Sequence, residues 1–445
     1  MKKFYVFALL LSAFANLQAQ SFTQNWRKLA NATDYVWFTG DNNVTSLAYN
    51  PVTDKVLVAK RSDRIFIINA ATGAQEDTLR TTGAAIGTEG LKYNKIRVTS
   101  DGVIYAINIQ PTAGGIIRIY RWASQADTAT LAASFPVTER TGDAFGLSGT
   151  GVNTVLYASG SGTFNNAFSV YILNTTDGRN FTRESKVTIT SSPTTNQQWA
   201  NRTVEPEGTG VTSAIWIKGG GFNARKITVG AKTDSLRVGT VVSTVPDGST
   251  NAGETSIGYG GMEVFTTANN TRFLLFGGGN NQFAGTKLTA LTVARDTVLN
   301  FFGRDSLNSQ ANYVVNANGT GDVAVKINAN GTFTAFYLGT NNGIASATSR
   351  IFVSTKDVNA AKTFDVQTLG NPINDALNLQ INAVKEGKMS INVINGIGSI
   401  VLTQRTAVNA GANNVTLSTA QFPTGLYFVT VNDGTSQETI KVVKQ

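Results

Sequence analysis

The chain has 445 residues, a formal net charge of +9, and neither Cys nor His. Those two absences exclude thiol nucleophiles, disulfide staples, histidine bases and nearly all zinc or copper sites, so stability rests on packing and any catalysis on carboxylates, Lys, Tyr or Ser. The positive charge is spread thinly with no clustered Lys/Arg, whereas nucleic-acid binding requires a concentrated basic patch, which argues against a nucleic-acid partner.

The N-terminus reads as a secretory signal. Lys2-Lys3, an apolar run over 4–15 and Leu17-Gln18-Ala19 supply its charged, apolar and small-residue regions, with cleavage before Gln20. The run is shorter than the roughly twenty residues of a spanning helix, and no other apolar stretch approaches that length. Residues 1–19 are therefore assigned to a signal peptide, and the mature protein is expected to have no transmembrane segment.

From 44 to 353 the chain is a succession of short period-2 runs punctuated by Gly, Asn, Asp and Pro, with no sustained helical period, so the fold class is all-β. The runs fall into units of roughly fifty to sixty residues, in the range of four-stranded propeller blades. The first unit has strands at 44–49, 55–60 and 64–69 with a return near 78–80. The second has 95–98, 103–109, 116–122 and 130–135, and the third 144–147, 155–159, 168–173 and 185–189. The fourth shows 213–218, 225–229 and 236–242; the fifth 263–267, 273–276, 287–293 and 298–302. The sixth supplies 322–328, 332–338 and 346–353 only. The segment Gln24-Asn25-Trp26-Arg27-Lys28-Leu29-Ala30 belongs to no unit of its own and is the natural donor of the missing strand, because a ring of sheets leaves two open edges unless its ends pair. The reading is a six-bladed β-propeller over 20–360. Seven blades, or an array of β-sandwiches, are the alternatives.

In such a ring the loops leading into the innermost strands converge on one opening. Here each carries an acid beside glycine: Gly40-Asp41, Thr88-Glu89-Gly90, Gly142-Asp143, Glu205-Pro206-Glu207-Gly208, Gly261-Met262-Glu263 and Gly321-Asp322. Loops between second and third strands emerge on the same face and are rich in Gly and Asn, with Phe164, Phe222 and Phe283 placed to stack on a sugar face or pack between blades. Turn chemistry alone accounts for much of this. The repetition points to an acidic, amide-rich ligand-binding opening, with catalysis as a lesser alternative. Glu205 and Glu207 flank Pro206, which favours an extended backbone and would set their carboxylates about 6–7 Å apart on one side of a solvated loop. That pair suits calcium, or the acid and base of glycoside hydrolysis. No compact calcium loop, phosphate-binding glycine motif or nucleophile elbow is present, so no cofactor is expected beyond a calcium ion.

The last stretch, 361–445, has its own character. Asn371-Pro372-Ile373-Asn374-Asp375 opens short alternating strands at 389–394, 399–403, 414–417, 425–431 and 439–443. Gly396-Ile397-Gly398 lies between strands, Gly425-Leu426-Tyr427-Phe428-Val429 forms a Gly-x-Tyr-x-Val strand, and Lys441 and Lys444 make the last strand basic. This resembles the C-terminal sorting domain of the type IX secretion system of Bacteroidetes, differing in Asn395 where an Asp is common before the Gly-x-Gly turn. The resemblance implies a small immunoglobulin-like β-sandwich. It also implies export through the periplasm to the outer-membrane surface or beyond, with the translocon and its sorting machinery as partners, and removal of the domain on secretion. A triplet recurs between the third and fourth strands: Asp77-Thr78-Leu79, Asp127-Thr128-Ala129, Asp234-Ser235-Leu236 and Asp296-Thr297-Val298. It resembles the O-glycosylation acceptor of exported Bacteroidetes proteins and marks Thr78, Thr128, Ser235 and Thr297 as candidates.

Together these features predict an exported propeller that binds a glycan or other polyhydroxylated ligand. The alternatives are a carboxylate- or metal-dependent hydrolase, lyase or lactonase at the channel opening, and a structural or adhesive protein acting through another surface protein.

Overall fold

The computed structural model describes residues 22–81, 86–87, 90–160, 168–189, 203–219, 222–244, 260–277, 287–294, 297–306, 314, 320–349, 363–395, 399–434 and 436–445. The signal segment at 1–19 and the candidate residues Glu89, Phe164 and Phe283 lie outside them. The chain divides into two compact units, Met1–Ile351 and Phe352–Gln445. Among the described residues no helix is long and apolar enough to cross a membrane.

The first unit opens with β1 (Phe22–Leu29) and continues as six antiparallel groups. β2 (Val44–Asn50), β3 (Lys55–Lys60), β4 (Ile65–Asn69) and β5 (Gln75–Thr78) form one sheet, and β6 (Lys95–Val98), β7 (Ile104–Ile107), β8 (Ile116–Trp122) and β9 (Thr130–Pro136) the next. The third and fourth groups are β10 (Thr141–Ser148), β11 (Val155–Gly160), β12 (Ser169–Thr175) and β13 (Phe181–Ile189), then β14 (Thr203–Pro206), β15 (Ile215–Gly219), β16 (Phe222–Thr233) and β17 (Leu236–Thr244). β18 (Gly261–Thr266), β19 (Arg272–Gly277), β20 (Lys287–Ala294) and β21 (Thr297–Ser306) form the fifth, while β22 (Gly321–Ile327), β23 (Phe333–Gly339) and β24 (Gly343–Ser349) make three strands of the sixth.

Many of these strands are apolar on both faces because each sheet is covered by a neighbour. Ala48, Leu57 and Ile67 of the first sheet share a core with Tyr93, Ile96 and Ile104 of the second. Tyr105 and Ile117 of the second pack with Phe145 and Leu156 of the third, and Leu47 and Val58 of the first with Phe336 and Leu338 of the sixth. The first strand of each group touches its successor in the order β2, β6, β10, β14, β18, β22, and β22 returns to β2. We call these the inner strands.

The sixth group gains its fourth strand from the N-terminus. β1 pairs antiparallel with β24, from Phe22 opposite Ser349 to Leu29 opposite Gly343, with a bulge between Gln24 and Trp26. This covers an edge that would otherwise present unpaired amides and carbonyls. The Trp26 indole nitrogen donates to the Ala70 carbonyl at 2.9 Å, tying the borrowed strand to the first sheet. Its ring lies so close to Gly73, whose φ is +72°, that a β-carbon there would fall 2.6 Å from it.

Three strand assignments differ from the sequence reading. The outer strand of the first group starts at Gln75, so Thr78 ends that strand and does not precede it. The fourth group gains an inner strand, Thr203–Pro206, from a segment expected to be an exposed loop. Its third strand begins at Phe222, so that residue belongs to a strand and not to a loop. The third and fourth groups are also not separate sheets. Their outer strands β13 and β17 pair in parallel, Lys186 opposite Leu236 through Ile189 opposite Gly239. The result is one eight-stranded sheet whose end strands, β10 and β14, lie against each other and nearly close it. Arg237 fastens the join, with Nη2 at 2.8 Å from Glu184 Oε1 and Nε at 3.1 Å from Ser185 Oγ.

The second unit has two sheets around one core. β25 (Phe364–Thr368), β26 (Ala376–Ala383) and β29 (Gly411–Ser418) form the first, in the order β25-β26-β29; β27 (Gly387–Asn395), β28 (Ile400–Val408), β30 (Gly425–Asn432) and β31 (Gln437–Lys444) form the second, in the order β28-β27-β30-β31. Alternate residues point inward: Leu377, Leu379 and Ile381 from one sheet meet Ile391, Val393, Val429 and Val442 from the other.

Candidate functional site

The inner strands bring charge into the middle of the first unit. Lys95 and Arg97 are two residues apart on β6 and so share a face, with apolar Ile96 directed the other way into the core. The Lys95 ammonium is buried and donates to the carbonyls of Thr45 at 3.1 Å and Gly321 at 2.8 Å, lying 3.7 Å from Asp322 Oδ2. Arg97 holds the same carboxylate through Nη1 at 3.0 Å and Nη2 at 3.3 Å, and Ser46 Oγ donates to it as well. Burial pushes the Asp322 carboxyl up, but Arg97 and Lys95 outweigh it and hold the group below the usual carboxylate range. Burial pulls the Lys95 ammonium below its ordinary value, an effect Asp322 offsets only in part.

Two more carboxylates lie near Arg97. Glu205 on β14 is 8% exposed, Glu263 on β18 is half-buried, and their side chains are hydrogen-bonded to each other. Burial raises Glu205 well above the carboxylate range, with the Glu263 charge adding to it. Burial likewise raises Glu263, against the pull of Arg97. Two acids in contact in such surroundings share one proton. Glu205 Oε2 has no hydrogen-bond partner among the described residues.

The cluster adjoins a cavity of about 460 Å³ at the C-terminal ends of the inner strands, whose polar lining is Tyr49, Arg97, Thr99, Ser100, Glu263 and Lys326. The Lys326 ammonium is 2.7 Å from Asp54 Oδ1, and the Tyr49 hydroxyl donates to the same oxygen at 2.9 Å. At the N-terminal ends of the inner strands a smaller cavity, about 190 Å³, is lined by Arg61, Asn94, Arg140, Asp143 and Thr320 among others. There Asp143 accepts two 2.7 Å bonds from Arg140.

These positions redistribute the acids expected at one opening. Glu205, Glu263 and Asp322 lie together, but within strands and not in loops. Asp143 is at the opposite end and tied to Arg140, while Asp41 is exposed and accepts from Asn43 at 2.9 Å. Glu205 and Glu207 do not form a pair on a solvated loop: Glu205 joins the buried cluster, and Glu207 binds Lys226 at 2.8 Å and Arg272. The opening expected to be acidic carries two arginines in its described part. No group of three or more Asp or Glu among the described residues is arranged to hold a metal ion. Lys95, Arg97, Arg61 and Arg140 were not singled out from the sequence, although the Lys95-x-Arg97 spacing inside a short strand is a readable signal. Of the hydroxyl candidates, Ser235 is exposed in a turn, Thr128 is exposed and bridges Arg80 in parallel, and Thr78 is half-buried; Thr297 begins β21.

In the second unit the Asn371-Pro372 segment closes on the last strand. Asn371 Nδ2 donates to the Lys441 carbonyl at 3.0 Å, and its Oδ1 accepts from the Val443 amide at 2.9 Å. Ile373, next to Pro372, bridges Lys444 in parallel. Lys444 Nζ is 3.6 Å from Asp375 Oδ1, the Tyr427 hydroxyl donates to the Pro423 carbonyl at 2.7 Å, and Gly425 starts β30. The motif residues therefore staple the C-terminal strand into the sandwich.

No curated protein matches the chain in sequence. In three dimensions it is similar to a DUF4623 family protein from Bacteroides eggerthii DSM 20697, with a TM-score of 0.52 and 15% identity over 75% of this chain and 77% of that one; at that identity the likeness concerns the fold alone. Residues 370–445 match the family described as Secretion system C-terminal sorting domain. The chain is a cargo of the type IX secretion system, exported to the cell surface or secreted.

Proposed function

We propose that this cargo is a binding module whose first unit is a six-bladed propeller. Its ligand is a glycan or similar polyhydroxylated molecule held in the 460 Å³ cavity, and residues 1–19 are its signal peptide. The ring order of the inner strands and the fourth strand lent by β1 support the propeller reading. The observation that carries the binding site is Glu263, half-buried, hydrogen-bonded to Glu205 and lining a cavity that also presents Arg97, Thr99, Ser100 and Lys326. The volume falls in the range of about 300–1,000 Å³ typical of ligand pockets. The lining offers hydroxyls, a carboxyl and cationic donors together, which suits a ligand with many hydroxyls.

A second reading is favoured by the upward shift that burial imposes on Glu205 and Glu263. A carboxyl kept protonated near neutral pH is what a general acid requires; in glycoside hydrolysis its partner is an ionised carboxylate about 5–9.5 Å away, a spacing wider than that of the contacting Glu205 and Glu263, so the second group would come from elsewhere. A calcium ion fits less well, because Arg97 and Lys95 already occupy the positions next to Asp322 that a cation would take.

Glycan-array binding by the full chain without its signal, compared with Lys326→Ala and Glu263→Gln, tests the proposal. A glycan class bound by the wild type and lost in both variants supports it, and release of reducing ends from that glycan would favour the catalytic reading. Undiminished binding by both variants would exclude the cavity.

A further inference from the structure

The small cavity at the other end of the inner strands has chemistry of its own. Arg61 sits in the turn after β3, where its backbone is pinned by an amide bond to the Asn43 carbonyl at 2.8 Å and by a 3.1 Å bond from the Tyr93 amide to its carbonyl. Its guanidinium Nε is buried and has no hydrogen-bond partner among the described residues. Arg140 lines the same 190 Å³ space, and each cation repels the other. Asp143 bonds Arg140 alone, and it and Asp41 attract Arg61 only at longer range, with no hydrogen bond to its Nε.

A second group is also unspent. Asn94 is 3% exposed; its Nδ2 donates to the Gly142 carbonyl at 2.8 Å, and its Oδ1 is buried with no partner among the described residues. Leaving a buried donor or acceptor unmatched costs about 1–3 kcal/mol, so both groups are primed for a ligand. Arg61 requires an acceptor for its buried Nε, which a carboxylate supplies, and Asn94 requires a donor. The cavity has room for about six waters at ~30 Å³ each.

We propose that this opening is a second binding site, for a small hydroxycarboxylate such as the carboxyl end of a uronic acid. The carboxylate lies against Arg61 beside Arg140, and a neighbouring hydroxyl donates to Asn94 Oδ1. Arginine suits a carboxylate because its planar fork offers two parallel donors. The site stands at the opposite end of the inner strands from the glycan cavity and does not depend on it.

Calorimetric titration of the full chain with D-glucuronate, D-glucose and sodium sulfate tests the inference. Saturable glucuronate binding is expected, with glucose inert and sulfate at least about tenfold weaker, since sulfate cannot donate to Asn94. Arg61→Gln should weaken glucuronate at least about tenfold, a loss of about 1.4 kcal/mol. Arg61→Lys should recover part of that loss, and Val152→Ala, an exposed change outside both cavities, should leave binding unchanged. Melting curves establish that each variant is folded; should Arg61→Gln fail to fold, the Arg61→Lys titration and the three-ligand comparison still decide. Absence of saturable glucuronate binding, equal binding by wild type and Arg61→Gln, or sulfate binding as tightly as glucuronate would each overturn the inference.

Discussion

Arg97 grips Asp322 with both terminal nitrogens, at 3.0 and 3.3 Å, although 225 positions separate them in sequence. The pair joins the second and sixth groups past β2, and Ser46 of β2 bonds to the same carboxylate. Removing one partner of a buried ion pair leaves the other uncompensated, at about 3–5 kcal/mol. Asp322→Asn should therefore lower the denaturant-unfolding free energy of the first unit by about 3 kcal/mol or more. A loss within about 0.5 kcal/mol would mean that the pair contributes little to holding the ring.

Stability should also depend on pH in a defined direction. An unfolded glutamate titrates near about 4.3, whereas burial pushes Glu263 up to about 7 and Glu205 above its ordinary range as well. Between those values the native state binds more protons than the unfolded state, so stability falls as pH rises through the window. Lys218 acts in the opposite sense at higher pH: burial pulls it to about 7, the native state binds fewer protons above that, and stability rises. Urea midpoints at pH 5, 6 and 7 should decline in the wild type and flatten in Glu205→Gln. Parallel profiles would show that the two acids do not share a proton.

Closure by the N-terminal strand makes a third expectation. Trp26 is half-buried, pairs within β1, bonds to Ala70 and covers Gly73. Trp26→Ala should cost about 3 kcal/mol, and Gly73→Ala should be comparably harmful because it combines a positive φ with a clash against the indole. Deleting 22–31 should expose the β24 edge and produce aggregation visible by light scattering. A monomeric deletion variant with an unchanged melting temperature would require another means of closure.

The alternation of short runs is enough to read an all-β chain, and the orphan segment around Trp26 is enough to name the strand that completes the sixth group. The pairing of β13 with β17 is different in kind. It is a parallel contact between Lys186 and Leu236, strands that are not consecutive, and no local pattern encodes it. Acids beside glycine pointed to Glu205, Glu263 and Asp322, because those residues recur where inner strands begin. What a list of acids leaves out is their counter-charge: Lys95 and Arg97 looked like scattered surface cations, and only burial between inner strands turns them into partners. Arg61 and Arg140 escaped for the same reason, since their loops are far apart in sequence and meet only around the axis.

The sorting domain predicts processing. Intact-mass analysis of surface material from a native host should show loss of the signal before Gln20 and of the C-terminal domain. Deleting 370–445 should leave the protein in the periplasm. The same spectra test Thr78, Thr128, Ser235 and Thr297 as O-glycosylation sites, with exposed Thr128 and Ser235 expected to be modified first. Unmodified peptides at all four would reduce the recurring triplet to turn geometry.

The most direct test of the binding account is a crystal structure of the full chain soaked with an oligosaccharide that it binds on an array. The account predicts a sugar ring in the 460 Å³ cavity, with hydroxyls within hydrogen-bond distance of Glu263 and of Arg97 or Lys326. A sugar found on the outer strands of the groups, with that cavity empty, would contradict it.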